Sequence, residues 1–75
     1  MKELSLLTSD EKSIYFIPEN LILEAAENED GTTTLAIVNI INVKSHVDEI
    51  LKETSKSQRK KIRWHKLIKP DINDR

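Results

Sequence analysis

The stretch Ile22-Leu23-Glu24-Ala25-Ala26-Glu27-Asn28-Glu29-Asp30-Gly31-Thr32-Thr33-Thr34-Leu35-Ala36-Ile37-Val38 decides the fold. By composition its first half favours helix, because Leu, Glu and Ala are good helix formers. The run is short, however, and it leads into Asp30-Gly31. That dipeptide signals a hairpin, since glycine and Asx residues tolerate positive φ at low cost. Gly31 is the only glycine of the chain, so a turn that needs its backbone freedom is the natural reason for its place. Three consecutive threonines then favour strand over helix. Residues 22–27 are therefore expected to pair with residues 32–38 across the turn.

Upstream, Leu4 and Leu6 alternate with Glu3 and Ser5, the period of a strand. Thr8-Ser9-Asp10-Glu11-Lys12 is polar and reads as a turn. Ser13-Ile14-Tyr15-Phe16-Ile17 is β-branched and aromatic, a second strand. Pro18 ends it by removing a donor. Downstream, residues 34–43 are the most apolar stretch, with Leu35, Ile37, Ile41 and Val43 on one face and Ala36, Val38 and Ile40 on the other. Asn39 marks a turn or bulge between two short strands. Ser45 is a good helix N-cap, with Asp48 at the third helical position. Val47, Ile50, Leu51 and Thr54 follow at helical spacing and form one stripe.

These signals describe an α+β domain: a small antiparallel sheet of four to five short strands, one C-terminal helix over one face, and a basic extension. The division is a β-rich body over 1–55 and a Trp-containing extension over 56–75. The expected core is Leu4, Leu6, Ile14, Phe16, Ile22, Leu35, Ile37, Ile41, Val43, Val47, Ile50 and Leu51. The opposite face would carry Tyr15, Ile17, Leu23, Val38 and Ile40, which is too apolar to face water freely.

Seventy-five residues, 37% hydrophobic and 33% charged, make one small domain. A chain of this size buries only about 60% of its unfolded surface. Without disulfide or metal, such a chain often completes its core by oligomerising. There is no cysteine, which removes disulfides, thiolate metal sites and thiol nucleophiles. No apolar run approaches the roughly 20 residues of a membrane span, and Met1 to Thr8 lacks the pattern of a signal peptide. The expectation is a cytoplasmic protein.

The net charge of −1 conceals a strong asymmetry. Residues 1–55 hold eleven acids and four bases, whereas residues 56–75 hold eight bases and two acids. Segment 56–69 contains seven bases and no acid, interleaved with Ile62, Trp64, Leu67 and Ile68. It has three readings. It binds nucleic acid through Arg59, Lys60, Lys61, Arg63 and Lys66, with Trp64 stacking on a base. Alternatively, its apolar residues dock on the acidic body or on a second copy. Or it is a solvated end. A basic helix lying on anionic lipid is a more distant fourth. Docking is preferred, because four large apolar residues are rarely left in water.

Little in the sequence points to catalysis. His46 and His65 lack partners at a recognisable spacing, two histidines do not make a metal site, and one glycine cannot make a phosphate loop. No cofactor, metal, membrane or small-molecule substrate is expected. The expected function is a non-enzymatic interaction or regulatory protein, with a protein partner or second copy meeting Tyr15, Ile17, Val38, Ile40, Trp64 and Leu67. Nucleic acid is the alternative partner.

Two strings carry a family resemblance: Tyr15-Phe16-Ile17-Pro18-Glu19-Asn20-Leu21-Ile22 and Ile41-Asn42-Val43-Lys44-Ser45-His46-Val47-Asp48-Glu49-Ile50. Together with the central hairpin they make residues 13–51 similar to the FlbD/SwrD family of small flagellum-associated proteins. The resemblance implies a β-rich body with a helix and a flagellum-associated role. The turns at 9–12 and at Asn39 depart from that family's pattern, as does the Trp-containing basic segment.

Overall fold

Gly31 takes φ +88° in the turn that the sequence marks. Its N–H donates to Asn28 O (3.0 Å), and Asn28 N–H closes the loop onto Thr32 O (2.9 Å). The Asp30 carboxylate accepts from Thr32 N–H and from its hydroxyl. The strands so joined are β3 (Glu24–Glu27) and β4 (Thr33–Ala36), antiparallel with Ala25 opposite Leu35. Residues 37–39 then reverse the chain into β5 (Ile40–Val43), with Ala36 opposite Ile40.

The computed structural model describes residues 2–67. In chain order the elements before the central hairpin are β1 (Glu3–Leu7), β2 (Ile14–Pro18) and a 3-10 turn, Glu19–Leu21. After β5 come α1 (Val47–Glu53), α2 (Lys56–Arg59) and β6 (Arg63–His65). The architecture is mixed α and β. Instead of one antiparallel sheet of four to five strands there are two sheets, β1-β2 and β5-β4-β3-β6. The second is not wholly antiparallel, because β6 lies parallel to β3. A parallel neighbour needs a long crossover, and the β4-β5 hairpin with α1 and α2 supplies it.

A corner joins the sheets. Thr8 bridges Val43, Ser9 N–H donates to Asn42 O (2.9 Å), and Lys44 N–H donates to Leu7 O (2.8 Å). The core lies between the inner faces and under α1. It contains Leu4, Leu6 and Ile17 from the first sheet, and Ala25, Leu35, Ile41 and Val43 from the second. Val47 and Ile50 enter from α1, and Ile22 and Ile62 from the connections.

β2 faces the other way from the expectation. Leu4 pairs with Ile17 and Leu6 with Tyr15, so Ile17 shares the inner face with the two leucines. Ile14 and Phe16, expected in the core, are 57% and 64% exposed. In a strand, moving the inward set by one residue exchanges every side chain between faces, and a run apolar at every position does not show which set points inward. Ile37 is only partly buried in the reversal, and Leu51 is half-buried at the margin of the helix stripe. Helix α1 begins one residue later than expected. His46 is the N-cap, its Nδ1 accepting from Asp48 N–H, and the Glu49 carboxylate completes the capping box on His46 N–H (2.9 Å). Ser45 is not the cap, because its carbonyl is engaged by the Thr33 hydroxyl (2.8 Å).

The first hairpin reverses at Thr8–Ser13 with Glu11 at φ +64°. A residue with a Cβ pays roughly 1 kcal/mol for that conformation. Glu11→Gly should therefore raise stability by about 1 kcal/mol, the exposed Lys44–Glu11 ion pair that it removes being worth less. Gly31→Ala should lower stability by about the same amount, since open space around Gly31 leaves only the φ strain. Urea denaturation of both variants checks the opposite signs.

Candidate functional site

The residues expected at one protein-binding surface fall in four places. Val38 is 93% exposed and Ile40 72%. Leu23, also exposed, joins them at the same end of the larger sheet, because its N–H donates to Ala36 O and Ala36 pairs with Ile40. Tyr15 lies on the other sheet, at the margin of the inner face. Ile17 is buried and cannot contact a partner. Trp64 packs against the core, and Leu67 sits where its N–H donates to the Glu27 carboxylate (2.8 Å).

The outer face of the larger sheet is built from small residues between two contrasting ends. Its rows run Arg63–Glu24–Ala36–Ile40 and His65–Ala26–Thr34–Asn42. Ala26, Ala36 and Thr34 leave the middle low. Ile40 rises at one end, beside the reversal that carries the exposed Val38. At the other, Ser9, Asn28, Asp30, Thr32 and Asn42 line a shallow polar recess. The groups in that recess bond largely to each other: Asn28 Nδ2 to the Thr32 hydroxyl (3.0 Å), and the Thr34 hydroxyl to Asn42 Oδ1 (2.6 Å).

The described part of the basic segment, 56–67, belongs to the body, contributing α2, the buried Ile62 and β6. Ile68 and Lys69 lie outside the described residues. Of the bases proposed for nucleic acid, Arg59 donates from Nη2 to Thr54 O (3.0 Å), and Lys66 pairs with Asp48. The indole N–H of Trp64 donates to Arg59 O (3.0 Å), which fixes the ring by its polar edge. Lys60, Lys61 and Arg63 face solvent. The partnership of Lys66 with Asp48 raises the lysine pKa; the lysine's hydrogen bond is the main cause lowering that of Asp48. Both groups are exposed, so the pair positions more than it stabilises.

Two acid clusters had no sequence signal. Glu19 is almost wholly buried, just after β2. Its carboxylate accepts from Ser55 N–H and from the Ser55 hydroxyl, both at 2.7 Å, and from Lys2 N–H (3.4 Å). Ser55 is the N-cap of α2, so the carboxylate takes the N-cap N–H as the third-position acid of a capping box would, but is supplied from 36 residues away. The Ser55 N–H bond outweighs burial and holds the Glu19 carboxyl below the usual range. The second cluster surrounds Glu27, whose carboxylate faces His46 Nε2 (2.9 Å) as well as Leu67 N–H. With Nδ1 accepting Asp48 N–H, both imidazole nitrogens of His46 are engaged in holding the start of α1. His65 pairs with Glu24 across neighbouring strands (2.6 Å).

Among the described residues no helix is long and apolar enough to cross a membrane. The chain matches no protein-family model, no curated protein and no solved structure.

A carboxylate whose pKa is depressed by folding adds stability above its unfolded pKa and loses it as pH falls through the folded one. Replacement Glu19→Gln should destabilise the fold by a margin that is constant above about pH 5 and shrinks steadily towards pH 3. Thermal melts of both proteins across this range check the sign. A margin that grew on acidification would contradict the assignment.

Proposed function

We propose that this chain is a small non-enzymatic interaction module acting through protein–protein contacts, with Leu23, Val38 and Ile40 as its contact surface. The exposure of Val38 and Ile40 carries this reading. Single exposed aliphatic residues are ordinary, but three gathered at one end of a sheet mark a binding patch. The low middle of small residues lets a partner's side chains approach the sheet. The enclosed carboxylates Glu19 and Glu27 and the imidazole of His46 support the non-enzymatic part, because each is occupied by structural donors or acceptors. The resemblance of residues 13–51 to the FlbD/SwrD family makes flagellum-associated assembly the setting in which to look for the partner, and cytoplasmic extract the place to start.

The competing nucleic-acid reading has Lys60, Lys61 and Arg63 as its remaining solvent-facing bases. The two readings separate cleanly by experiment. A partner captured by the wild-type chain should be lost on Val38→Glu with Ile40→Lys, while circular dichroism stays unchanged. It should be retained on neutralising Lys60, Lys61 and Arg63 together. Trp64 emission should be blue-shifted in the free protein and unmoved by a mixed oligonucleotide. Quenching by oligonucleotide that salt reverses, and that vanishes with the three bases, would overturn the proposal in favour of phosphate binding.

A further inference from the structure

Strand β2 ends its sheet, and its outer edge is open among the described residues. Which backbone groups face that edge follows from the register. Thr8 N–H donates to Ser13 O, and Glu19 N–H donates to Lys2 O. Both are hydrogen-bonded pairs of the β1–β2 ladder, and such pairs alternate with non-bonded ones along an antiparallel ladder. The pairs Lys2/Glu19, Leu4/Ile17, Leu6/Tyr15 and Thr8/Ser13 therefore face inward to β1. The N–H and C=O groups of Ile14 and Phe16 point outward, as does the C=O of Pro18. Pro18, which has no N–H, stands at an outward position, where a strand tolerates it.

Edge strands that remain free usually carry charge, particularly lysine, against pairing. From Ser13 to Pro18 this strand carries no charge, and proline, the other common block, occupies only its last position. Its outer face instead shows Ile14 and Phe16, both more than half exposed. We infer that β2 pairs edge to edge, antiparallel, with β2 of a second copy, about a two-fold axis through Tyr15. This inference rests on reading the chain as an interaction module, and it makes a second copy the occupant of one of its surfaces.

The pairing is self-complementary in three respects. Both outward donors find acceptors: Ile14 exchanges both backbone bonds with Phe16 of the second copy, and Phe16 with that copy's Ile14. On the outer face Ile14 then stands opposite a phenylalanine, a favourable β-branched–aromatic pair, made twice. The charges also agree. Lys12, in the turn just before Ser13, comes to the Pro18 end of the other copy in this register, and Pro18 is opposite Glu3 in β1. The exposed Lys12 thus reaches over the small proline ring towards the exposed Glu3 at both ends of the dimer. A five-residue edge is at the small end of specific interfaces, so association should fall in the range of roughly tens to hundreds of micromolar.

The test is the full chain in sedimentation velocity and in cysteine crosslinking. Wild type should dimerise as concentration rises. Phe16→Lys, at a solvent-facing position, should stay monomeric with an unchanged circular dichroism spectrum. Because the chain has no cysteine, single substitutions report the register. The two-fold axis places residue 15 of each copy in a non-bonded pair with Cα atoms about 4.5 Å apart, within disulfide range. Oxidation should crosslink Tyr15→Cys at least tenfold faster than Ile14→Cys or Phe16→Cys. If Tyr15→Cys alone weakens the fold, rising protection of the Ile14 and Phe16 amides with wild-type concentration serves instead. A chain that stays monomeric at several hundred micromolar, a dimer that survives Phe16→Lys, or equal crosslinking at all three positions would overturn the inference. Partner capture sensitive to Val38→Glu with Ile40→Lys would leave the interaction-module reading standing even then. A dimer abolished by Val38→Glu with Ile40→Lys and indifferent to Phe16→Lys would assign self-association to the sheet face and reject the β2 edge.

Discussion

The Glu19 carboxylate ties the start of β1 to the junction between α1 and α2. It draws the N-terminal start of β1 through Lys2 N–H and the start of α2 through both donors of Ser55. A buried carboxylate is tolerable only when donors replace its water, and here three do. Without it, Ser55 N–H would be an orphan at a helix start and the descent from α1 into α2 would lose its anchor. The later placement of Ile62 in the core and of β6 beside β3 depends on that descent. The C-terminal third is thus tied to the first hairpin by a polar contact as well as by apolar packing.

The basic segment shows how charge and burial interact in a small domain. Its bases are largely solvent-facing, but the residues among them do structural work: Ile62 fills the core, Trp64 spans core and backbone, and Arg63–His65 adds a strand. Cross-strand and surface pairs, His65 with Glu24 and Lys66 with Asp48, bring acids of the first fifty-five residues against bases of the last twenty. Such pairs add little stability singly. Their sign still favours one orientation of β6 on the sheet, where like charges would have opposed it. The charge asymmetry therefore reflects neighbours in space as much as any external partner.

Most of the local structure was legible. The Asp30-Gly31 turn, the reversal at Asn39, the strand period before residue 8 and the helix stripe from Val47 are all governed by groups within a few residues of each other. The inward set of β2 was not legible. Ile14, Tyr15, Phe16 and Ile17 are apolar at every position, so no periodicity distinguishes the faces, and only pairing with Leu4 and Leu6 decides. The helix cap slipped by one residue for a similar reason: Ser45 and His46 can both cap locally, and the Thr33 hydroxyl, twelve residues away, took the Ser45 carbonyl. Of the interface residues expected, Val38 and Ile40 stay on the surface, whereas Ile17 is inside and Trp64 is turned to the core.

Over the first fifty-five residues the sequence by itself determined where the chain turns, broadly which segments extend and where α1 runs, because glycine φ freedom, proline's missing donor and side-chain periodicity act over single turns. Only the tertiary structure decided that the sheet divides in two, that the basic segment closes the larger sheet as a parallel strand, and that Glu19 is buried. Each of those rests on partners 17 to 40 residues apart. Bringing such groups together depends on the loop-closure entropy and packing of the whole chain, which no local pattern records.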